Sequence, residues 1–123
     1  MPKKILLVDD SSTALLLEQM ILQESTYQLV TARDGREAIQ KAVTERPDLI
    51  LMDVVMPYLN GFDACRELRR REETSAIPII LVTTRGEQQS VEHGFASGCT
   101  DYLTKPLDAS ELLSKVRRHL GEA

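Results

Sequence analysis

The chain has 123 residues, of which 42% are hydrophobic and 28% charged, and it carries a formal net charge of −4 at pH 7. This length predicts one domain with one sizeable core, and the composition excludes an intrinsically disordered chain. The negative charge and the aromatic content of only 4% argue against a protein that binds nucleic acid or an anionic membrane surface.

Five short apolar runs predict five β-strands, and each is followed by a segment with the spacing of an amphipathic helix. In chain order, the predicted strands are 4–8, 28–32, 48–52, 78–82 and 101–103, and the predicted helices are 12–24, 35–45, 61–71, 86–97 and 109–120. The central strands are continuous apolar runs, which is typical of a parallel sheet covered by helices on both faces. The sequence therefore predicts an α/β fold with a five-stranded, doubly wound parallel sheet.

Small polar residues that can cap a helix N-terminus precede three of the predicted helices. The Ser-Ser-Thr stretch at 11–13 precedes the first helix. Asp34 followed by Glu37, and Asp108 followed by Glu111, have the spacing of a capping box at the second and fifth helices. These residues predict where the three helices begin.

The two cysteines, Cys65 and Cys99, are far apart and lack the spacing of a metal site. We expect them to be free thiols in a reducing cytosol. The N-terminal stretch MPKKILLV lacks the long apolar run of a secretory signal, and no segment reaches the roughly 20 apolar residues that cross a bilayer. We therefore expect a cytoplasmic protein that forms a single domain over 1–123, with no output domain in this chain.

Polar side chains follow four of the predicted strands. Asp9 and Asp10 follow the first strand in ILLVDDSS, Asp53 follows the third, Thr83 the fourth and Lys105 the fifth. Because the carboxyl ends of parallel strands meet at one edge of a sheet, we expect these side chains to converge there. A single Asp after a strand is usually a helix cap or a turn residue, and a Lys beside a carboxylate is usually a surface ion pair. Several complementary groups at the same edge favour a functional site instead.

Three converging carboxylates need a compensating cation. Two carboxylates about 5 Å apart repel each other by roughly 3 kcal/mol at an effective dielectric constant near 20. Mg²⁺ prefers oxygen ligands, and together with Lys105 it would make the cluster a receptor for a phosphoryl group. An aspartate carboxylate can itself accept the phosphoryl group. Asp53, on the central third strand, is best placed to be that acceptor.

The stretches VDDSS, DLILMDVVMPYLNG, PIILVTT and GCTDYLTKPLD occur together and in this order. With them, the whole chain resembles the receiver domains of two-component response regulators, and among these the stand-alone regulators of the chemotaxis type. The resemblance implies a flavodoxin-like fold with strand order 2-1-3-4-5. It also implies a phosphoacceptor signalling domain and not an enzyme with a separate substrate, since such a domain catalyses only its own phosphorylation and dephosphorylation.

The resemblance implies a Mg²⁺ site and a phosphorylation site. Asp10 would bind Mg²⁺ directly and Asp9 through water or through contacts outside the direct ligand shell, while Asp53 and the backbone carbonyl of Val55 would complete the protein ligands. Asp53 would also be the phosphorylated residue, receiving its phosphoryl group from a histidine kinase or a histidine phosphotransfer protein. Neither nucleic acid nor a membrane is an expected partner.

The resemblance also implies a conformational switch. Lys105 would bind one phosphoryl oxygen, Thr83 would hydrogen-bond another as the switch hydroxyl, and Tyr102 would be the switch aromatic residue that turns into the space left by Thr83. This repacking would alter the surface made by the fourth helix, the fifth strand and the fifth helix, which would contact an unidentified downstream protein. A cis peptide bond between Lys105 and Pro106 is implied as well.

The first predicted helix carries three consecutive leucines, Leu15, Leu16 and Leu17, which point about 100° apart around the helix axis. One helix face cannot bury all three. The resemblance implies that Leu17 occupies a core position, whereas the positions of Leu15 and Leu16 are commonly polar. In one interpretation, one of these two extra leucines packs against the fifth helix and the other is simply exposed. In the other, they form an apolar spot on which the phosphodonor protein docks.

Other protein classes compete with this interpretation. A haloacid-dehalogenase-like phosphatase needs a second aspartate at the position of Val55, and a flavodoxin needs a hydroxyl-rich phosphate loop where this chain has Asp9 and Asp10. P-loop and Rossmann sites need glycine patterns that the sequence lacks. The remaining alternative is an inactive pseudo-receiver that acts as a constitutive interaction module, although such modules usually lack one of the acidic or lysine residues present here.

Overall fold

The computed structural model describes residues 2–23, 25–84 and 95–122. The strands are β1 (Lys4–Val8), β2 (Gln28–Ala32), β3 (Leu49–Asp53), β4 (Ile79–Thr84) and β5 (Asp101–Lys105). The helices are α1 (Ser12–Leu22), α2 (Gly35–Glu45), α3 (Gly61–Arg70) and the C-terminal helix (Ala109–His119). The predicted helix over 86–97 lies outside the described residues, except for residues 95–97. In the described ranges, no helix combines the length and the apolar character that a membrane span requires.

The five strands form one parallel sheet in the order β2-β1-β3-β4-β5. Strand β3 is buried along its whole length, and β1 is buried from its second residue onward. Buried central strands with helices on both faces explain why these runs are continuously apolar. The predicted fold class and strand order are confirmed.

Alternate residues of the strands face two separate hydrophobic cores. On one face Leu6 and Val8 of β1 pack in the cluster that includes residues of α2 and α3. On the other face Ile5 and Leu7 pack in the cluster that includes residues of α1 and the C-terminal helix. Because successive side chains of a strand point to opposite faces, β1, β2, β3 and β4 contribute to both cores, while β5 contributes Leu103 to the second. The sheet therefore lies between two layers of helices. This arrangement leaves the edge formed by the carboxyl ends of the strands for a functional site.

The predicted helix caps are present. The side chains of Ser11, Asp34 and Asp108 each accept a hydrogen bond from the backbone N–H three residues later, at 3.2, 2.9 and 2.9 Å. Asn60 caps α3 in the same way at 2.9 Å, which the sequence analysis did not predict. Such caps each contribute about 1 kcal/mol and fix where the helices start relative to the strand ends.

The prediction that Leu17 is the core residue of α1 is wrong. Leu15 is only 6% exposed and packs in the core, whereas Leu17 is 46% and Leu16 57% exposed. The buried residues of α1 are Leu15, Glu18 and Leu22, which recur at the spacing of a single helix face. A run of three leucines fits more than one rotation of the helix, so the packing against the sheet selects the rotation. Of the two extra leucines, Leu15 is therefore the buried one and Leu16 the exposed one.

Both cysteines are free thiols, as predicted, and both are buried. Burial raises the pKa of the Cys65 thiol and raises that of Cys99 to about 11. Buried thiols with raised pKa values are poor nucleophiles, so these residues belong to the core and not to a reactive site.

Three strands extend further than predicted. Asp53 is the last residue of β3, Thr83 lies inside β4, and Lys105 is the last residue of β5. Backbone pairing continues through these polar positions, because Asp53 is in register with Val82 and Thr83 with Thr104. The polar side chains are thus carried on the sheet itself and not on the loops that follow it. The Lys105–Pro106 bond is cis, as the resemblance implied.

Candidate functional site

The three predicted carboxylates meet at the carboxyl edge of the sheet. Asp9 follows β1 directly and Asp53 ends the neighbouring strand β3, where Val8 pairs with Met52. One oxygen each from Asp9, Asp10 and Asp53 lies within 4.8 Å of the others. Asp9 is 1% and Asp53 8% exposed, while Asp10 is exposed to solvent.

Lys105 supplies the positive charge of the cluster. Its Nζ lies 3.3 Å from Oδ2 of Asp9 and 3.4 Å from Oδ1 of Asp53, so a single ammonium bridges two carboxylates. Burial alone would lower the pKa of this ammonium, but the carboxylates of Asp53 and Asp9 outweigh it and raise the pKa. Lys105 is therefore a permanent cation at neutral pH.

One lysine does not compensate the cluster. Burial, and then the neighbouring charge of Asp9, raises the pKa of Asp53 to about 6, although Lys105 acts in the opposite direction. The ionised form of Asp53 is thus held in an unfavourable environment. A second cation would relieve the repulsion.

Backbone contacts hold the acidic residues in place. Oδ1 of Asp9 accepts a hydrogen bond from the Ser11 backbone N–H at 2.9 Å, and the Asp9 N–H donates to the Ala32 carbonyl at 3.1 Å. The backbone carbonyl of Asp10 accepts a hydrogen bond from the Arg33 guanidinium at 2.9 Å. The backbone at the end of β1 is therefore tied both to α1 and to the end of β2.

A glycine allows α3 to start against the backbone of the central aspartate. A Cβ atom on Gly61 would lie 2.5 Å from the Asp53 carbonyl oxygen, which is too close for any other residue. The Gly61 N–H donates to the Val54 carbonyl oxygen at 2.8 Å. The loop between β3 and α3 is thus folded tightly beside the cluster.

The donor set suits a hard divalent cation. Carboxylate oxygens are the ligands that Mg²⁺ prefers, and three of them here converge beside one lysine charge in the described part of the chain. Val55, whose backbone carbonyl would complete the implied ligand set, lies two residues after Asp53 with its side chain 68% exposed. That exposed valine side chain also occupies the position at which a haloacid-dehalogenase-like phosphatase would need an acid.

The two residues predicted to form the switch lie on neighbouring strands. Thr83 is near the carboxyl end of β4, and Tyr102 is the second residue of β5, three residues before Lys105. Thr83 is 4% exposed, and its hydroxyl donates a long hydrogen bond of 3.4 Å to the Leu103 carbonyl oxygen on β5. Tyr102 is half-buried and packs edge-on against Phe95, with ring centroids 5.9 Å apart. The ammonium of Lys115 lies 5.0 Å from the Tyr102 ring centroid and donates to the Tyr102 carbonyl at 2.6 Å.

Sequence reasoning missed one acidic residue beside the cluster. Glu18 is 1% exposed on the buried face of α1, three residues after Leu15 and four before Leu22. Burial, and then the charge of Asp9, raises the pKa of Glu18 to about 8, although Lys105 acts in the opposite direction. Its helical spacing from two buried leucines was the signal available in the sequence.

Comparisons with known proteins agree with this geometry. The family model described as the response regulator receiver domain matches residues 5–117. Protein PilH of Pseudomonas aeruginosa is 43% identical over 118 residues, which cover 96% of this chain and 98% of that protein. The structure of the chemotaxis response regulator CheY4 of Vibrio cholerae superposes with a TM-score of 0.90 at 35% identity, covering 97% of this chain and 99% of that one.

A further solved structure bears on the acidic cluster. The receiver domain of the sensor histidine kinase PA1611 from Pseudomonas aeruginosa is similar with a TM-score of 0.91 and 34% identity, covering 99% of this chain and 100% of that one. That protein holds a magnesium ion coordinated in its active-site cleft.

Proposed function

The chain belongs to the family of response regulator receiver domains of two-component signalling, and from that premise we propose that it accepts a phosphoryl group on Asp53 from a phosphohistidine. The donor is a histidine kinase or a histidine phosphotransfer protein in the cytoplasm. The observation that carries the proposal is the ammonium of Lys105, which bridges Asp9 and Asp53 at 3.3 and 3.4 Å. It supports a phosphoryl acceptor because a cation already stands beside the attacking oxygen.

In the proposed reaction, a carboxylate oxygen of Asp53 attacks phosphorus and forms a new O–P bond. The P–N bond to the donor histidine breaks, and the leaving imidazole keeps the electron pair and takes a proton from solvent. Lys105 neutralises charge on a phosphoryl oxygen, and hydrolysis later returns Asp53 to its carboxylate form. Catalysis is therefore confined to the chain's own phosphorylation and dephosphorylation.

We propose Mg²⁺ as the cofactor. Asp9, Asp10, Asp53 and the backbone carbonyl of Val55 would hold it, which suits the three converging carboxylates. Bound there, the ion would offset the negative charge of the carboxylates and of the transferred group. Lys105 links Asp53 to Asp9 through contacts that the protein itself makes.

We propose that the signal leaves the site through Thr83 and Tyr102. The weak 3.4 Å bond between the Thr83 hydroxyl and β5 is readily exchanged for a bond to a phosphoryl oxygen. Tyr102 lies on the adjacent strand, where Lys115 and Phe95 hold its ring. A change in this packing would alter the surface of β5 and the C-terminal helix for a downstream protein.

The phosphodonor protein is proposed to dock on α1. Leu16, Leu17 and Met20 are 57%, 46% and 58% exposed, and together they form an apolar patch on the helix that starts beside the acidic cluster. Leu16→Glu should therefore slow transfer from the donor protein and leave labelling by acetyl phosphate unchanged. Leu15→Glu is unsuitable for this test, since Leu15 is buried. Equal transfer rates for the wild type and Leu16→Glu would remove the patch from the docking surface.

Acetyl phosphate with Mg²⁺ tests the central proposal. Intact-mass spectrometry should show one added phosphoryl group on the wild type and none on Asp53→Asn. Asp63→Asn is a matched control, because Asp63 is a half-exposed acid on α3 whose carboxylate forms a surface ion pair with Arg66. Equal labelling of Asp53→Asn would exclude Asp53 as the acceptor, and no labelling of the wild type would favour the pseudo-receiver alternative.

A further inference from the structure

Arg33 approaches the acidic cluster from one edge of the sheet, and Lys105 approaches it from the other. Arg33 is the first residue after the edge strand β2, whereas Lys105 ends the opposite edge strand β5. The Arg33 guanidinium donates a hydrogen bond to the backbone carbonyl of Asp10 at 2.9 Å. Because this carbonyl and the Asp10 carboxylate belong to one residue, the guanidinium stands only about one side-chain length from the cluster.

The segment that carries Arg33 is held on two sides. The Arg33 backbone N–H donates to Oε1 of Glu37 at 2.6 Å, and Asp34 caps α2 by accepting from the Glu37 N–H at 2.9 Å. Gly35 packs so closely against the loop after β3 that a Cβ atom on it would overlap the Leu59 carbonyl oxygen. The backbone from which the Arg33 side chain extends is thus fixed by α2 and by the loop between β3 and α3.

The contact with Asp10 does not neutralise the charge of Arg33. Its partner there is a carbonyl oxygen, which carries no net charge, and Arg33 is exposed. The carboxylate of Glu37 on the same segment also lies 4.0 Å from the Lys41 ammonium, which offsets its negative charge. Arginine stays protonated at physiological pH, and charges closer than about 10 Å, the Debye length at 0.1 M salt, are only partly screened. Arg33 therefore adds positive potential where three carboxylates converge.

A positive charge in this place acts in opposite directions on the two ligands of the site. It repels Mg²⁺, and it attracts a phosphodonor that carries two negative charges. We propose that Arg33 determines the selectivity of the acidic cluster by weakening Mg²⁺ binding and by favouring dianionic phosphodonors over less charged ones. This inference rests on the function proposed for the site. Arg33 acts on the site through its charge and is a specificity-determining residue, not a catalytic one.

The affinity for Mg²⁺, measured without a phosphodonor, tests the first half of the proposal. In a titration of the full chain followed by ¹⁵N-correlation NMR at low ionic strength, Arg33→Gln should bind Mg²⁺ a few-fold more tightly than the wild type. Arg33→Lys keeps the charge and should bind it like the wild type. If Arg33 only held the Asp10 backbone in place, Arg33→Gln would bind Mg²⁺ more weakly, and that result would overturn the proposal.

Arg118→Gln is the matched control, because it removes the same charge from another exposed arginine. Arg118 precedes His119, which pairs with Asp101 at the first residue of β5, so Arg118 lies towards the opposite end of the strands from the cluster. Its removal should leave the Mg²⁺ affinity unchanged. Equal affinities of Arg33→Gln and the wild type, or equal tightening by Arg33→Gln and Arg118→Gln, would overturn the proposal.

Two small phosphodonors test the second half. Acetyl phosphate carries two negative charges at neutral pH, and phosphoramidate carries fewer. At saturating Mg²⁺, Arg33→Gln should lower the labelling rate with acetyl phosphate relative to that with phosphoramidate by a few-fold, and added salt should shrink this difference. A structural role would change both rates by the same factor, so an unchanged ratio of the two rates would overturn the proposal. A wild type that binds Mg²⁺ but accepts no phosphoryl group would overturn the function proposed for Asp53, and the Mg²⁺ titration would still decide the role of Arg33.

Discussion

Asp53 and Asp101 are both aspartates of the same sheet, and each contacts a lysine ammonium, yet their pKa values move in opposite directions. Oδ1 of Asp53 lies 3.4 Å from Lys105, and Oδ1 of Asp101 lies 3.1 Å from Lys115. The pKa of Asp53 is raised to about 6, whereas that of Asp101 is lowered. A lysine neighbour therefore does not by itself determine whether the pKa of a carboxyl group is raised or lowered.

The difference lies in the number of donors that each carboxylate has to itself. Burial acts to raise the pKa of Asp101, but hydrogen bonds from His119, from the Tyr102 backbone N–H and from Lys115 outweigh it. These contacts tie the start of β5 to the C-terminal helix, so Asp101 stabilises the fold.

Among the described residues, Asp53 has fewer hydrogen-bond donors than Asp101, and it has a charged neighbour in Asp9. It shares the Lys105 ammonium with Asp9, and the charge of Asp9 adds to the effect of burial in raising its pKa. The cluster around Asp53 thus stores unfavourable charge repulsion that a bound cation would relieve. Such sites are common where chemistry takes place, because the destabilised group is the reactive one.

The largest expected effect is on the labelling rate, and it distinguishes Lys105 from Lys115. Lys105→Met removes the cation beside the acceptor and should slow labelling by acetyl phosphate on the order of 100-fold, as for the loss of one charge-stabilising donor. Lys115→Met removes a lysine that contacts Asp101 and should leave the labelling rate close to that of the wild type. The rates are compared by intact-mass spectrometry at equal Mg²⁺, and equal slowing by both substitutions would contradict the assignment of Lys105.

The second prediction concerns stability and has opposite signs for the two aspartates. In EDTA, Asp53→Asn removes a charge that is buried beside Asp9 and should raise the free energy of unfolding by roughly 1–2 kcal/mol. Asp101→Asn removes the negative charge and replaces one of the two accepting oxygens with an NH2 donor, so it should lower the free energy of unfolding by about 1–3 kcal/mol. Urea unfolding of both variants checks this, and a destabilised Asp53→Asn would show that its charge is well compensated.

The sequence was sufficient to predict the charged residues that surround Asp53, the proposed phosphoryl acceptor. Asp9, Asp53 and Lys105 follow from the rule that parallel strands present their carboxyl ends at one edge, and the structure brings them together. Glu18 and Leu17 were not predictable in the same way. The burial of Glu18 and the exposure of Leu17 depend on how α1 is rotated about its axis against the sheet. A run of three leucines is compatible with more than one such rotation.

Residues that act through tertiary contacts escaped prediction for a similar reason. The pairing of Asp101 with His119 joins the first residue of a strand to the last residue of a helix, and neither has a distinctive local motif. The hydroxyl of Thr83 was expected at the phosphoryl site by resemblance, whereas its observed bond to the Leu103 carbonyl reflects side-chain rotation, which sequence spacing does not encode.

The third prediction concerns pH in the absence of Mg²⁺. Between 3.8 and about 6, native Asp53 holds a proton that the unfolded chain has already lost, and Glu18 does so between 4.5 and about 8. The native state therefore binds more protons than the unfolded state, and stability should fall as pH rises through these windows.

Thermal unfolding in EDTA from about pH 5 to about pH 8 tests this prediction. Glu18→Gln should flatten the loss of stability across most of this range, and Asp53→Asn should flatten it below about pH 6. The contribution of Asp101 has the opposite sign and is lost only as pH falls through its lowered pKa, so Asp101→Asn should leave the slope in this range unchanged. A slope that persists in the Glu18→Gln and Asp53→Asn double variant would have to come from other groups.

The smallest expected effect concerns how long phosphorylated Asp53 survives. Asp101 contacts His119 of the C-terminal helix, whereas two residues after Asp53 lies Val55, which is 68% exposed and whose side chain cannot hydrogen-bond a water molecule. An asparagine at that position could orient an attacking water, so Val55→Asn should shorten the lifetime of the phosphorylated state by a few-fold, on the scale of one weak hydrogen bond. The decay of the phosphorylated mass peak at equal Mg²⁺ measures it. Val55→Ala is the control, because it shortens the side chain without adding a hydrogen-bonding group. If both variants lose phosphate at the same faster rate, access to the phosphoryl group and not the orientation of water limits hydrolysis.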